Sequence, residues 1–429
     1  MNALDLLYIP VAAAYAPRLL AKKRGGWAER FGRIAPLPPA REGAGRVLVH
    51  GVSVGEINAL RTLVPLLAER HDVVVTATTD TGIERARALF RPPVHVVRYP
   101  LDLSASVRRF LDAVRPDAVA LAELELWPNF VRECGRRKIP VCVINGRLSA
   151  RSFRGYRRIR GFMKHIFGAL EFAAVQDEAY AERFRAMGVP PDRVVVTGSM
   201  KWDAISLSAP AQQADPKALA LAAELGIDLA RPLVVAGSTG PGEEALLHEA
   251  LRNESIPSGV QLLCAPRRTE RFDEAAAALP GCVRRTARTV APAGTTRFLL
   301  DTIGELRQAY ALATVVVVGR SFFDLHGSDP IEPAALGKPV IIGPAHSDFA
   351  SIVATFRAAG GLVVAERTNL AAEIARLLAS EPARRELAWR AVECITREQG
   401  ASRRHAELIA GIARRDGEGR SNEHVAHAP

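Results

Sequence analysis

Cysteine is scarce in this chain: five residues (Cys134, Cys142, Cys264, Cys282 and Cys394) among 429, odd in number and never in CxxC spacing. That excludes a disulfide framework and a structural zinc site of ordinary spacing; buried free thiols in a reducing compartment are expected instead. Long apolar runs are also missing. The most apolar stretch, residues 3–21, is interrupted by Asp5, Pro10, Pro17 and Arg18, and a spanning helix needs about 20 predominantly apolar residues. Its start carries no basic residue, which argues against a cleaved signal peptide. Acidic residues are fewer than basic ones, 46 against 57, giving a formal charge of +11. Such an excess points to a polyanionic partner, and composition alone leaves nucleic acid, anionic lipid and a phosphorylated substrate open. Aromatics make up only 6%, with no helix-turn-helix, zinc-finger or RRM signature, so no nucleic-acid partner is expected.

What is present is ordinary globular material, 48% hydrophobic and 24% charged, in a length that suits two or three domains. Short β-branched or small apolar runs recur at residues 46–50 (RVLVH), 73–77 (VVVTA), 95–99, 118–122 (AVALA), 141–145 and 172–176, with helical patterns between them. Continuous apolar strands alternating with helices predict parallel βαβ units. A small, polar, proline-punctuated stretch at 204–217 reads as a linker, and the alternation then restarts at 233–236, 260–265, 298–300, 314–319, 340–342 and 361–364. The chain therefore reads as α/β, with two Rossmann-like domains facing an interdomain cleft at their strand ends. The expected divisions are an apolar membrane-associating segment at 1–21, a first domain at 22–205, a second at 206–415 whose last helix crosses back over the first, and a disordered tail at 416–429. Lys22, Lys23, Arg24 and Arg30 flank the apolar segment, a pattern suited to an anionic leaflet; a helix packed on the domain is the alternative.

Six segments carry candidate chemistry, each just after a predicted strand. In Ser53-Val54-Gly55-Glu56 the glutamate sits at a strand's carboxyl edge, suited to a general base. The same spacing fits a capping box, in which Glu56 is only a helix-start carboxylate. Glu123-Leu124-Glu125-Leu126-Trp127-Pro128-Asn129 crowds two carboxylates, an indole and an amide onto a strand-to-helix turn. Gly237-Ser238-Thr239-Gly240-Pro241-Gly242-Glu243-Glu244 offers free N–H groups at a helix start, suited to a nucleotide phosphate. Arg267, after the 260–265 run, brings a planar fork for phosphate or carboxylate. Asp301-Thr302-Ile303-Gly304-Glu305 is the fifth. In the long loop from Gly319 to Glu332, Ser321, Gly327 and Ser328 present donors to phosphate, and Glu332 an acceptor for ribose hydroxyls. Arg147, Arg151, Arg154, Arg157, Arg158, Arg160 and Lys164 form a dense basic segment, either a solvated helix face or a dock for lipid phosphates.

Taken together, SVGE (53–56), ELELWPN (123–129), NGRLSARS (145–152), GSMKWD (198–203) and AGST with GEE (236–244) resemble the 3-deoxy-D-manno-octulosonic acid (Kdo) transferases, inverting glycosyltransferases of GT-B fold. The resemblance implies transfer of Kdo from CMP-Kdo to a hydroxyl of a phosphorylated lipid A precursor in lipopolysaccharide assembly, without a bound metal or other cofactor. It also implies work at an anionic membrane surface, on the cytoplasmic face of a bacterial inner membrane. By the same resemblance Glu56 is the catalytic base, and Ser53, Gly55, Glu123, Glu125, Asn129 and Arg147 line the acceptor side. Lys201, Ser238, Thr239, Arg267, Ser321, Gly327, Ser328 and Glu332 meet the donor. The sequence departs from the family pattern at Ser199, Arg268, Arg320 and His326-Gly327-Ser328-Asp329, mostly in the donor half. Another CMP-linked 2-keto sugar acid or nucleotide sugar, or a non-catalytic binding relative, are the alternatives these departures leave.

Overall fold

The computed structural model describes residues 2, 4–6, 8, 25–205 and 215–413. Most of the 1–21 segment, Lys22 to Arg24, most of the linker and the 416–429 tail lie outside the described residues. No described helix is long and apolar enough to cross a membrane.

The chain divides into two compact units, one of residues 1–204 and 398–429, the other of 205–397. The first holds seven strands: β1 (Arg46–Gly51), β2 (Asp72–Ala77), β3 (His95–Arg98), β4 (Ala118–Ala122), β5 (Val141–Gly146), β6 (Ala173–Val175) and β7 (Val194–Val196). They pair in parallel in the order β3-β2-β1-β4-β5-β6-β7. Alternation explains the apolar runs. In β1, Leu48 enters one buried cluster with Val74, Val119 and Val143, while Val47 and Val49 enter another with Val73, Val75 and Ala120. With both faces covered, the strand middles are apolar, and the polar residues buried near the strand ends pair with one another, Arg46 with Asp72 and His50 with Thr76.

The second unit repeats the plan with β8 (Leu233–Thr239), β9 (Gln261–Pro266), β10 (Val283–Arg284), β11 (Arg297–Leu299), β12 (Val315–Val318), β13 (Val340–Ile342) and β14 (Val363–Val364). Their order is β10-β11-β9-β8-β12-β13-β14, again parallel. Val234, Ala236, Leu262, Cys264, Val315 and Val317 share its core. Strands β7 and β10 were not expected from the sequence. The first is three valines on a sheet edge with Val195 and Val196 exposed, and the second is two residues long, too short for any period.

One boundary differs from the expectation. The second unit ends at 397, not 415, because the helix Ala401–Ile412 belongs to the first unit. Ala401 and Ile409 are buried with Val47 and Val49, and the Asp203 carboxylate accepts hydrogen bonds from the backbone N–H groups of Gly400 and Ser402 at the helix start. All five cysteines are free, four buried and Cys282 half-buried. Because every strand in each sheet is parallel, each unit gathers its strand-ending loops along a single edge, where ligands of such sheets bind.

Candidate active site

On the first unit, β1 and β4 are neighbours, so their carboxyl ends deliver the SVGE and ELELWPN turns side by side. Ser53 caps the helix Val54–Ala59: its Oγ accepts from Glu56 N (3.4 Å) and donates to Glu56 Oε1 (2.9 Å). Glu56 Oε2 accepts from Val52 N (2.8 Å). The capping box is therefore real, yet each carboxylate oxygen accepts just one of these bonds and the side chain stays half-exposed. Burial pushes the Glu56 carboxyl above its ordinary range, the Val52 N–H bond pulls it back, and the Glu123 charge adds to the rise. Gly55 is exposed, and a side chain there would meet only Ser53 Oγ, at 3.8 Å.

Glu123 turns the chain out of β4 at φ +56°, with its N–H still bonded to Ile144 O (3.0 Å). Two residues on, the Glu125 carboxyl is pushed up to about 7 by burial and by Glu56, against a hydrogen bond from Trp127 Nε1 (2.9 Å). Three carboxylates thus act on one another at the ends of two adjacent strands.

Asn129 does not join them. Its Oδ1 accepts from Asn2 Nδ2 (2.8 Å), and its Nδ2 donates to Asp102 O (2.6 Å) and Asp5 Oδ1 (3.2 Å). Its amide is committed to Asn2, Asp5 and Asp102. Asp5 also takes Ser104 N (2.9 Å), and Tyr8 donates to Asp102 Oδ2 (2.7 Å). Arg147, half-buried, follows β5 and donates its N–H to Glu123 O (3.4 Å). Lys201 lies on the first unit, next to Met200, whose N–H donates to Asn145 Oδ1 (3.0 Å). Asn145 N in turn donates to His405 Nε2 (2.8 Å), and burial pushes that imidazole down to about 4, leaving the ring neutral and able to accept. Asn145 and His405 therefore seat the Arg147 and Lys201 loops, a role no local motif announced across 260 positions.

On the second unit, several donor candidates prove to be committed elsewhere. Thr239 is buried and donates to Glu244 Oε1 (2.6 Å). Ser321 Oγ donates to Val318 O (2.6 Å) and accepts from Gly343 N (2.8 Å). Both hydroxyls tie strand ends to the segments beside them. The Gly-rich turn is no open anion site either, since Gly240 N is held by Glu243 Oε2 (2.8 Å). The other candidates are differently placed. Ser238 is half-buried at φ +57°, and Arg267 is exposed past β9. Gly327 sits at φ +82°, where a Cβ would lie 2.8 Å from His346 Cα, so the turn requires glycine. Ser328 is buried, and its Oγ has no hydrogen-bond partner. Burial, with Glu332 and Asp329 next, raises the Tyr310 phenol, and Arg267 opposes them. Among the described residues no group of three or more His, Cys, Asp or Glu is arranged for a metal ion.

Residues 25–204 match the family model described as 3-Deoxy-D-manno-octulosonic-acid transferase (kdotransferase). The 3-deoxy-D-manno-octulosonic acid transferase of Haemophilus influenzae is 30% identical over 95% of this chain and 95% of its own. That of Bordetella pertussis is 33% identical over 91% of this chain and 93% of its own. The chain belongs to the Kdo transferase family. Among solved structures, a glycosyltransferase from Rickettsia africae superposes with a TM-score of 0.59 at 12% identity, covering 86% of this chain and 98% of that one. The fold class is GT-B, and the chain is a glycosyltransferase.

The coupled carboxylates of this Kdo transferase family member make its stability pH-dependent. A carboxyl with a raised folded pKa holds its proton more tightly when folded, so its contribution is fully present below the ordinary value of 4.5 and lost as pH rises toward about 7. Glu125→Gln removes that loss. The variant is expected to melt above wild type at pH 8, with the gap closing toward pH 4.5, in thermal melts across the range.

Proposed function

We propose that the chain transfers Kdo from CMP-Kdo to a hydroxyl of a phosphorylated lipid A precursor, inverting the anomeric centre, with Glu56 as general base. The observation that carries this reading is the half-buried Glu56 carboxylate at the carboxyl edge of the first sheet, raised by burial and by Glu123. A carboxylate so poised takes the acceptor hydroxyl's proton as its oxygen bonds to the anomeric carbon. The bond from that carbon to the CMP phosphate oxygen breaks in the same displacement, and CMP leaves with the electron pair. Cations and N–H or O–H donors at the leaving phosphate and the Kdo carboxylate contribute most as charge builds there. Arg267, Ser238 and Ser328 of the second unit are the groups we assign to that task, with Glu332 on the ribose.

The helices Ala150–Arg158 and Arg160–Gly168 expose Arg151, Arg154, Arg157, Arg158, Arg160 and Lys164 together with Ile159 (53%) and Phe162 (43%). A basic face with apolar members suits anionic headgroups and acceptor phosphates. We assign it, with the 1–21 segment, to docking on the cytoplasmic face of a bacterial inner membrane.

The test incubates the purified chain with CMP-Kdo and a defined tetraacylated lipid A precursor, and weighs the product. A mass gain of one or more Kdo residues with matching CMP release is expected. Nucleotide release from UDP-sugars instead, or CMP binding without transfer, overturns the reading.

A further inference from the structure

Strands β8 and β12 are neighbours, and their loops leave the second sheet side by side. Such loops expose backbone N–H groups that need an acceptor once buried. In this chain a single side chain supplies it. Glu243 Oε2 accepts from Gly240 N (2.8 Å) and Arg320 N (2.6 Å), while Oε1 accepts from Ser321 N (2.8 Å) and Phe322 N (3.0 Å). The residue is fully buried. Gly319 passes so close that a Cβ would lie 2.9 Å from Glu243 Oε2 and 2.7 Å from Thr239 Cα. Burial pushes the Glu243 carboxyl above its ordinary range and the four N–H bonds pull it back; with both oxygens accepting from N–H donors, the chain carries its own carboxylate in a nest.

Those four bonds hold strained backbone. Ser238, at the irregular end of β8, and Arg320, on the loop after β12, both sit at φ +57°, a region that costs L-residues energy and persists only where the surroundings enforce it. Arg320 then hands the constraint on: its carbonyl accepts from Gly327 N (2.7 Å), and its Nη2 donates to Leu325 O (2.8 Å). Glu243 therefore ties the turn just after Ser238 to the loop that carries the Gly327-Ser328 turn. Glu244 fixes the helix beneath, accepting from Thr239 Oγ1 (2.6 Å) and from Arg271 Nη1 and Nη2 (both 3.0 Å).

We propose that Glu243 is a positioning residue for the donor nucleotide, a resident anion that holds the loops after β8 and β12 in the form that binds CMP. The proposal rests on the reading that the second unit takes the CMP-sugar. Glu243→Ala leaves four unpaired N–H groups around a cavity the size of a small carboxylate. In that variant the CMP affinity of the full chain, measured by calorimetry, is expected to fall about tenfold or more, a loss of about 1.4 kcal/mol or greater. The KM for CMP-Kdo rises more than kcat falls. Excess formate, at ionic strength matched with chloride, restores CMP affinity and raises the melting temperature of the variant but not of wild type, because it binds only the vacated nest. Glu243→Gln fills the cavity and turns an amide NH2 onto two of the donors, so it loses affinity without formate rescue.

A Glu243→Ala chain that binds CMP as wild type does, or one that folds and gains nothing from formate, overturns the proposal. Should that variant not fold, Glu243→Asp decides. It keeps the anion one methylene short of the four donors, and weakened CMP binding is expected; wild-type affinity overturns the proposal. A wild-type chain that binds no CMP overturns the donor reading and this proposal together, whereas wild-type binding with unchanged variants overturns this proposal alone.

Discussion

Glu56→Gln is expected to lower Kdo transfer by roughly 10²- to 10⁴-fold, the usual contribution of a positioned general base, while folding and CMP binding stay near wild type. The substitution separates the two roles that the geometry combines in this residue. As a capping residue, Glu56 accepts from Val52 N and Ser53 Oγ, and glutamine serves the same position in capping boxes. Loss of a cap costs about 0.5–2 kcal/mol, so the fold survives either way. As a base, an amide is useless: it has no lone pair basic enough to hold the acceptor's proton. A companion measurement reads the neighbour. Glu123 raises the Glu56 pKa, so Glu123→Gln lowers it, and the acidic limb of the pH–rate profile moves to lower pH because the base is ionised sooner. Near-wild-type turnover in Glu56→Gln would sink the base assignment and leave Glu56 as a cap.

The parts of this molecule legible in its sequence are those set by burial. Strands such as β2 and β4, covered on both faces, are apolar through their middles, so they stand out as runs. The edge strand β7 and the two-residue β10 obey no such constraint and leave no trace. The same division holds at the site. Glu56, Glu123 and Glu125 stand out in the sequence because each carboxylate closely follows a buried strand, and for Glu56 the capping box is a second reason to be there. Thr239, Ser321 and Asn129 have residue types that suit a ligand, but each spends its hydrogen bonds inside the protein. Residue type tells what a group can bond, and only the fold tells what it does bond. Glu243 shows the converse. It was visible as an acid after a Gly-rich turn, where a helix start favours negative charge, but its four N–H partners come from positions up to 79 residues away.

Arg46→Ala is expected to cost about 3–5 kcal/mol of stability, the range for breaking a buried ion pair from one side, and to leave kcat at permissive temperature near wild type. Arg46 opens β1 at 1% exposure. Its Nε donates to Asp72 Oδ2 (2.7 Å), its Nη1 to Val114 O (2.6 Å), and its Nη2 to Pro38 O. One planar fork therefore ties together the starts of β1 and β2, the end of the helix Ser104–Val114, and the segment before the sheet. Truncation leaves the buried Asp72 carboxylate without its guanidinium partner. Most of the cost is that orphaned charge, not the lost attraction, and this is separately measurable. Arg46→Met with Asp72→Asn removes both charges and keeps the apolar stem, so the double variant is expected to unfold at a higher urea midpoint than Arg46→Met alone. Activity is spared because a six-residue strand spans about 17–20 Å, and Arg46 lies at the opposite end of β1 from the Glu56 turn. An Arg46→Ala chain that unfolds at the wild-type urea midpoint would refute the account of the pair, and one that folds normally but loses turnover would place Arg46 in the site's own support.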